Sequence, residues 1–209
     1  MARLETAAEV YDALGKKYED AFRDWPERRK TVEWLLGNLP AGARVLDVGS
    51  GTGRPTAELL AAAGHDVTGC DVSPKMVELA RAQVPAARFE LADMRSLDYP
   101  DGSWDAVVAF FSMLQLTRSE QDAQLARFAR WLAPGGHLVF GTVPGDADDV
   151  VGGFMGHTFR SSTYPAEVFA ARLREAGLDL AYERRTRYVP DLPGAGAEDQ
   201  LFLIARRPG

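Results

Sequence analysis

One cysteine, three histidines and four lysines are all that this chain of 209 residues holds of those types, and each scarcity excludes a class of protein. A lone Cys70 can form no internal disulfide and leaves no cysteine-clustered metal site. Its place at the end of an expected strand, just before Asp71, makes it a small buried hydrophobe by expectation, not a nucleophile. Lys16, Lys17, Lys30 and Lys75 are the only lysines, so nearly all positive charge sits on arginine, and the formal net charge is −6. That balance speaks against a nucleic-acid-binding surface. No apolar run approaches the ~20 residues of a membrane span. The segment Met1-Ala2-Arg3-Leu4-Glu5 lacks the hydrophobic core of a secretory leader, so a cytoplasmic location is expected. There is no repeat, heptad or low-complexity tract. With 46% apolar and 26% charged residues, the chain is expected to fold as one domain over residues 1–209.

The stretch Arg44 to Val72 organises what is present. Arg44 to Val48 is β-branched and apolar, as a buried strand would be. Gly49, Gly51 and Gly53, at every second position, then turn the chain. Pro55 suits a helix start and Thr56 to Ala63 continues it, before a second strand ends on a carboxylate, Asp71. Strand, glycine turn, helix, strand and acid make half of a nucleotide-binding α/β fold. A dinucleotide site wants G-x-G-x-x-G with a helix N-terminus facing a pyrophosphate. Here the order is Asp47-x-Gly49-x-Gly51-x-Gly53. An acid ahead of the glycines suits a ligand with an ammonium and no phosphate, and disfavours a nicotinamide-dependent oxidoreductase.

This stretch resembles the first motif of the class I S-adenosylmethionine-dependent methyltransferases. Leu132-Ala133-Pro134-Gly135-Gly136-His137-Leu138-Val139-Phe140 resembles a second hallmark of that family, and Tyr11-Asp12 followed by Tyr18 a third. The resemblance runs from about Tyr11 to the end of the chain and is weak only over residues 145–163. It implies a Rossmann-like α/β sheet of seven strands in the order 3-2-1-4-5-7-6, the last antiparallel, with helices on both faces. It also implies an N-terminal helical cap (residues 1–40), a lid-like insertion (residues 145–163) and S-adenosyl-L-methionine as cofactor. Residues implied to bind the cofactor are Tyr18, Asp47, Gly49, Ser50, Gly51, Thr52, Gly53, Asp71, Val72, Met76, Asp93, Met94 and Phe110. Of these, Asp71 is expected at the ribose hydroxyls, Asp93 at the adenine amino group and Met94 over the ring.

The remaining elements follow from pattern. Leu4 to Arg23 reads as one amphipathic helix and Glu27 to Leu39 as a second. Ala87 to Leu91 and Trp104 to Phe111 read as strands, the latter apolar enough to be central. His137 to Val143 is a fifth strand, and two more are expected at Asp179 to Val189 and Gln200 to Arg206. Gly145 to Thr163 has no clear period and reads as a glycine-flanked loop. His65 and His137 are expected at the surface.

A sulfonium carries an activated methyl, so such an enzyme chiefly places a nucleophile in line behind it. No metal is needed, and a base only for a poorly acidic acceptor. His157, the one histidine of the lid-like segment, is the candidate base. Tyr11, Phe111, Phe154, Met155 and Phe159 are expected to shape a pocket for a small-molecule acceptor. Phe110-Phe111-Ser112-Met113-Leu114-Gln115 stands where family members that methylate adenine or cytosine rings, or glutamine, carry an Asp/Asn-Pro-Pro-aromatic motif; with no basic patch for nucleic acid either, O- or N-methylation of a small molecule is the expectation. The alternative is a protein of the same fold whose cofactor only shapes a pocket for a non-methylating reaction. Its partners are then a small acceptor, no membrane, and at most a second copy of itself. The run Arg184, Arg185 and Arg187 reads as a solvated strand face.

Overall fold

The computed structural model describes residues 3–23 and 25–209. Its centre is a seven-stranded sheet in the order β3-β2-β1-β4-β5-β9-β8. The strands are β1 (Arg44–Val48), β2 (Asp66–Asp71), β3 (Arg88–Leu91), β4 (Trp104–Phe110), β5 (Leu132–Thr142), β8 (Asp179–Tyr188) and β9 (Glu198–Arg206). The first five run parallel, and β9 pairs antiparallel with both β5 and β8. Two further strands, β6 (Ala147–Phe154) and β7 (His157–Thr163), form a separate hairpin. With those two set aside, the order is the expected 3-2-1-4-5-7-6.

Alternation along the strands divides the interior in two, as a parallel sheet covered on both faces requires. Leu46, Val107 and Leu138 pack with Leu125, Phe128 and Trp131 of α6 (Arg118–Trp131) and Phe169 and Leu173 of α7 (Ala166–Glu175). Val45, Val108 and Val139 face the other way, towards α3 (Pro26–Leu36), α4 (Thr56–Ala62) and α5 (Pro74–Gln83). Cys70 is buried, as expected. Burial raises its thiol's pKa to about 12, which keeps it inert.

Three expectations are corrected. The first helix is two: α1 (Ala7–Leu14) and α2 (Lys16–Ala21). Gly15 breaks it with a φ of +48°, although Val10, Leu14 and Tyr18 keep one helical period across the break. Thr6 and Glu9 close the start of α1 with a reciprocal capping box. Next, the segment expected as an irregular loop is the β6–β7 hairpin. Its turn residues Met155 and Gly156 both have positive φ, +51° and +88°, the conformation that a two-residue hairpin turn demands. The adjacent Gly152 and Gly153 hide the strand in the sequence. The hairpin is tied to the chain's beginning. The Glu5 amide donates to the Thr158 carbonyl at 2.9 Å, and the Thr158 amide to a Glu5 carboxylate oxygen at 3.1 Å. Finally, His137 is buried edge-on against Trp34, and desolvation lowers its pKa.

Candidate functional site

The carboxyl ends of β1, β2 and β4 meet on one edge of the sheet, and α1 and α2 lie over it. After Val48 the amides of Gly49 and Ser50 both donate to the Cys70 carbonyl, at 2.8 and 2.9 Å, so the turn is clamped to the end of β2. Gly49 (φ +70°) allows no side chain: a Cβ there would stand 2.2 Å from that of Ser112. Gly51 (φ +56°) has nothing within 4 Å of where its Cβ would be, because it faces a cavity. Gly53 looks the other way, onto Phe89 and Val84, and closes helix packing instead of touching the cavity.

That cavity has a volume of about 360 Å³ and brings together ten of the residues expected from sequence: Tyr11, Tyr18, Gly49, Gly51, Asp71, Val72, Asp93, Met94, Phe110 and Phe111. Asp71 is fixed by backbone donors. One oxygen accepts from the Gly51 amide at 2.8 Å and the other from the Ser73 amide at 2.9 Å. Burial raises its pKa, and those amides oppose the rise. Each oxygen keeps a lone pair for a ligand hydroxyl. Asp93 carries an ion pair with Arg95, 2.6 Å at its shortest, which lowers its pKa and holds the carboxylate in place.

A second cavity, about 440 Å³, opens on the other side of the same turn and takes in Ser50 and Thr52. Its notable residue is Arg28, which the sequence reading passed over. Arg28 is buried on α3, its guanidinium 5.2 Å from the Phe110 ring and 5.6 Å from the Trp25 ring, with Nε donating to the Thr56 hydroxyl at 3.1 Å. Desolvation lowers its pKa, though not enough to discharge an arginine. The signal was present: Arg28 stands at helical spacing from the core residues Val32 and Leu35, and a cation on a buried face needs a reason. Beneath the turn, Asp47 is also buried, and its Oδ2 has no hydrogen-bond partner among the described residues. Burial pushes its pKa up to about 7, against the pull of Arg28.

A third, smaller chamber of about 110 Å³ adjoins the first and shares Tyr11, Tyr18 and Phe111 with it. Phe154 and Phe159 of the hairpin line it. Met155 sits in the hairpin turn, outside the three cavities, and Met76 is buried inside α5. His157, the candidate base, lines none of them. Its Nδ1 lies 3.0 Å from a Glu5 carboxylate oxygen, where it helps tie the hairpin to the N-terminal segment. Among the described residues no group of three or more His, Cys, Asp or Glu could hold a metal ion, and no helix is long and apolar enough to cross a membrane.

A sheet of this order with a glycine turn and an acid at the ends of its first two strands defines a nucleotide-cofactor protein of the Rossmann-like class. The methyltransferase-domain family matches residues 45–136. An O-methyltransferase, cnsE, of Penicillium expansum is 31% identical over 195 residues, spanning 84% of this chain and 70% of that protein. The methyltransferase GfsG of Streptomyces halstedii is 36% identical over 155 residues, 68% of this chain but only 55% of its own length, so the chain spans little more than half of that relative. Among solved structures, the 1,6-didemethyltoxoflavin-N1-methyltransferase of Burkholderia thailandensis, solved with S-adenosylhomocysteine, superposes with a TM-score of 0.69 at 23% identity, covering 100% of this chain and 94% of that one. The chain belongs to the class I S-adenosylmethionine-dependent methyltransferases.

Proposed function

We propose that the chain transfers the methyl group of S-adenosylmethionine to oxygen or nitrogen of a small-molecule acceptor. The observation that carries this reading is the pair of cavities meeting at Gly49 and Gly51, whose walls differ in chemistry as the parts of that cofactor do. The residues fit. Arg28, with its guanidinium facing the second cavity, suits the amino acid carboxylate. The unpartnered Asp47 beneath the turn supplies negative potential for the ammonium and sulfonium. Asp71, at the far side of Gly51, suits the ribose hydroxyls, and Asp93 with Met94 suits the adenine.

When bound, S-adenosylmethionine supplies a methyl group already activated by a sulfonium. The chain's own part is then to orient and to exclude water. Gly51 lets the ligand approach the backbone, with no Cβ in the way, and Gly49 lets the turn pack against Ser112. Phe110 lies between the first and second cavities, while Phe111 lines both the first cavity and the aromatic chamber. Tyr11 and Tyr18 lie edge to face, ring centres 5.3 Å apart, and roof both. An acceptor in the chamber would face the cofactor past these rings, which fix its approach.

Isothermal titration calorimetry tests the reading directly. S-adenosylmethionine and S-adenosylhomocysteine should bind in the micromolar range and NADH not at all. Tight NADH binding without S-adenosylmethionine binding would overturn it. Product mass separates methyl transfer from a non-methylating reaction, because only the first adds a methyl group and releases S-adenosylhomocysteine.

A further inference from the structure

Resting on the methyl-transfer reading, we propose that the acceptor is an amine, seated in the aromatic chamber with its nitrogen at the carboxylate of Glu198. Nothing in the sequence marks this residue, which follows a Pro/Gly-rich loop and opens β9. Among the described residues it is the one charged side chain lining the chamber, and none of those lining residues is a lysine, arginine or histidine. An acceptor bearing a carboxylate or phosphate would enter against a negative charge with no cation among the described lining residues to receive it.

The carboxylate is held in place. The Trp25 indole donates to the Gln200 side-chain carbonyl at 2.7 Å, and the Gln200 amide donates to Glu198 Oε1 at 2.7 Å. Among the described residues the second oxygen of Glu198 accepts no hydrogen bond, which leaves it for a ligand. Around it the walls are rings: Tyr11, Tyr18, Phe22 and Trp25 from the N-terminal segment, Phe111, Phe154 and Phe159 from opposite. Aromatic faces around a single carboxylate form a site for an ammonium, which gains from ring quadrupoles and from the opposite charge together. A neutral alcohol would use the carboxylate alone, and an acid neither.

Among the described residues the titratable and charged groups around Glu198 are Tyr11 on α1, Tyr18 on α2, Tyr188, its register partner on β8, and Arg28 on α3, whose guanidinium lies 5.6 Å from the Trp25 ring, with Asp71 beyond Tyr11 in the first cavity. Burial raises the pKa of the Tyr11 phenol and brings that of Tyr18 to about 12, so both stay neutral. Burial also raises the Glu198 carboxyl pKa, against the Gln200 hydrogen bond, which makes the group a better proton acceptor. In the reaction the ammonium gives one proton to Glu198. The freed nitrogen lone pair forms the new N–C bond as the C–S bond breaks, its electrons staying on sulfur as a thioether. The product is the methylated ammonium, and the proton on Glu198 leaves to solvent.

The test uses protein saturated with S-adenosylhomocysteine and three probes that differ only in the head group: benzylamine, benzyl alcohol and benzoate. Binding is read by calorimetry and by quenching of intrinsic tryptophan fluorescence, Trp25 being the tryptophan that lines the chamber. Benzylamine should bind at least tenfold tighter than either of the others. Glu198→Gln should erase that preference while leaving S-adenosylhomocysteine affinity unchanged, and Glu198→Asp should restore part of it. No benzylamine binding, equal binding of benzoate or benzyl alcohol, or a preference untouched by Glu198→Gln would each overturn the proposal. If that variant does not fold, the wild-type pH series decides. Benzylamine affinity must fall as Glu198 is protonated with decreasing pH, and a flat profile overturns the assignment. Failure of S-adenosylhomocysteine itself to bind would instead refute the methyl-transfer reading.

Discussion

Asp47 is the residue where function and stability pull apart. A carboxyl group in an unfolded chain has a pKa near 4, whereas burial holds the Asp47 carboxyl near 7. A raised folded-state pKa means that stability from this group is fully present below pH ~4 and is lost as pH rises towards and past 7. Asp47→Asn keeps the shape without the charge. It should raise Tm at pH 8, by a few kcal/mol of stability at about 1.4 kcal/mol per pH unit, and the difference should vanish in melts at pH 4. The same variant should bind S-adenosylhomocysteine at least ~10-fold more weakly. A variant that is neither more stable at pH 8 nor weaker in binding would show that Asp47 has no electrostatic role. At the far end of the turn, Asp71→Ala should cost about 1–3 kcal/mol of cofactor binding, the range for truncating a charged hydrogen-bond partner. An unchanged dissociation constant would remove Asp71 from the ribose site. Arg28→Ala should weaken cofactor binding by a similar ~1.5–3 kcal/mol, measured by the same titration.

At the scale of elements, the β6–β7 hairpin is where sequence reading and structure part most. Whereas the order of the strands came from the family resemblance, the glycine turn and the five parallel strands were legible because each rests on local chemistry: spacing, β-branching, an acid at a strand end. The hairpin was not, because paired glycines in β6 erase the alternation that marks a strand, and its turn signal, Met155-Gly156, is not among the usual dipeptides. The break at Gly15 was hidden for the opposite reason, since the apolar period runs through it. His157 looked functional as the lone histidine of a glycine-rich segment, and only the tie to Glu5 gives it another task. Cutting that tie should loosen the hairpin and not the sheet. In Glu5→Ala, hydrogen exchange should accelerate at Thr158 and its hairpin neighbours, while β1 and β4 amides keep their protection. Uniform acceleration across the sheet would mean that the hairpin is part of the cooperative core.

For the whole molecule, ligand binding and folding are one equilibrium. S-adenosylmethionine at 100 times its dissociation constant should stabilise the folded chain by about 2.7 kcal/mol. For a chain of this size that corresponds to a Tm increase of roughly 5–10 °C, visible by calorimetry or dye melting. NADH at the same concentration should leave Tm where it was. The outer strand β8 carries Arg184, Arg185 and Arg187, all exposed. Charge on an edge strand discourages pairing with another chain, which accounts for an arginine run that lines none of the three cavities described above. The two halves of the candidate site were unequally visible in sequence for a reason of scale. Asp47, Gly49, Gly51, Asp71, Asp93 and Met94 lie within fewer than fifty consecutive residues, whereas Tyr11, Trp25, Phe111, Phe154 and Glu198 come together only when the chain is folded.

That same arrangement bears on how the protein can change over generations. A substitution at Phe154, Phe159 or Glu198 lies on a hairpin or an antiparallel strand that shares no backbone hydrogen bond with the glycine turn. If those positions form the acceptor site as proposed, acceptor preference is free to drift, or to be selected in a randomised library of them, while the donor half is inherited unaltered.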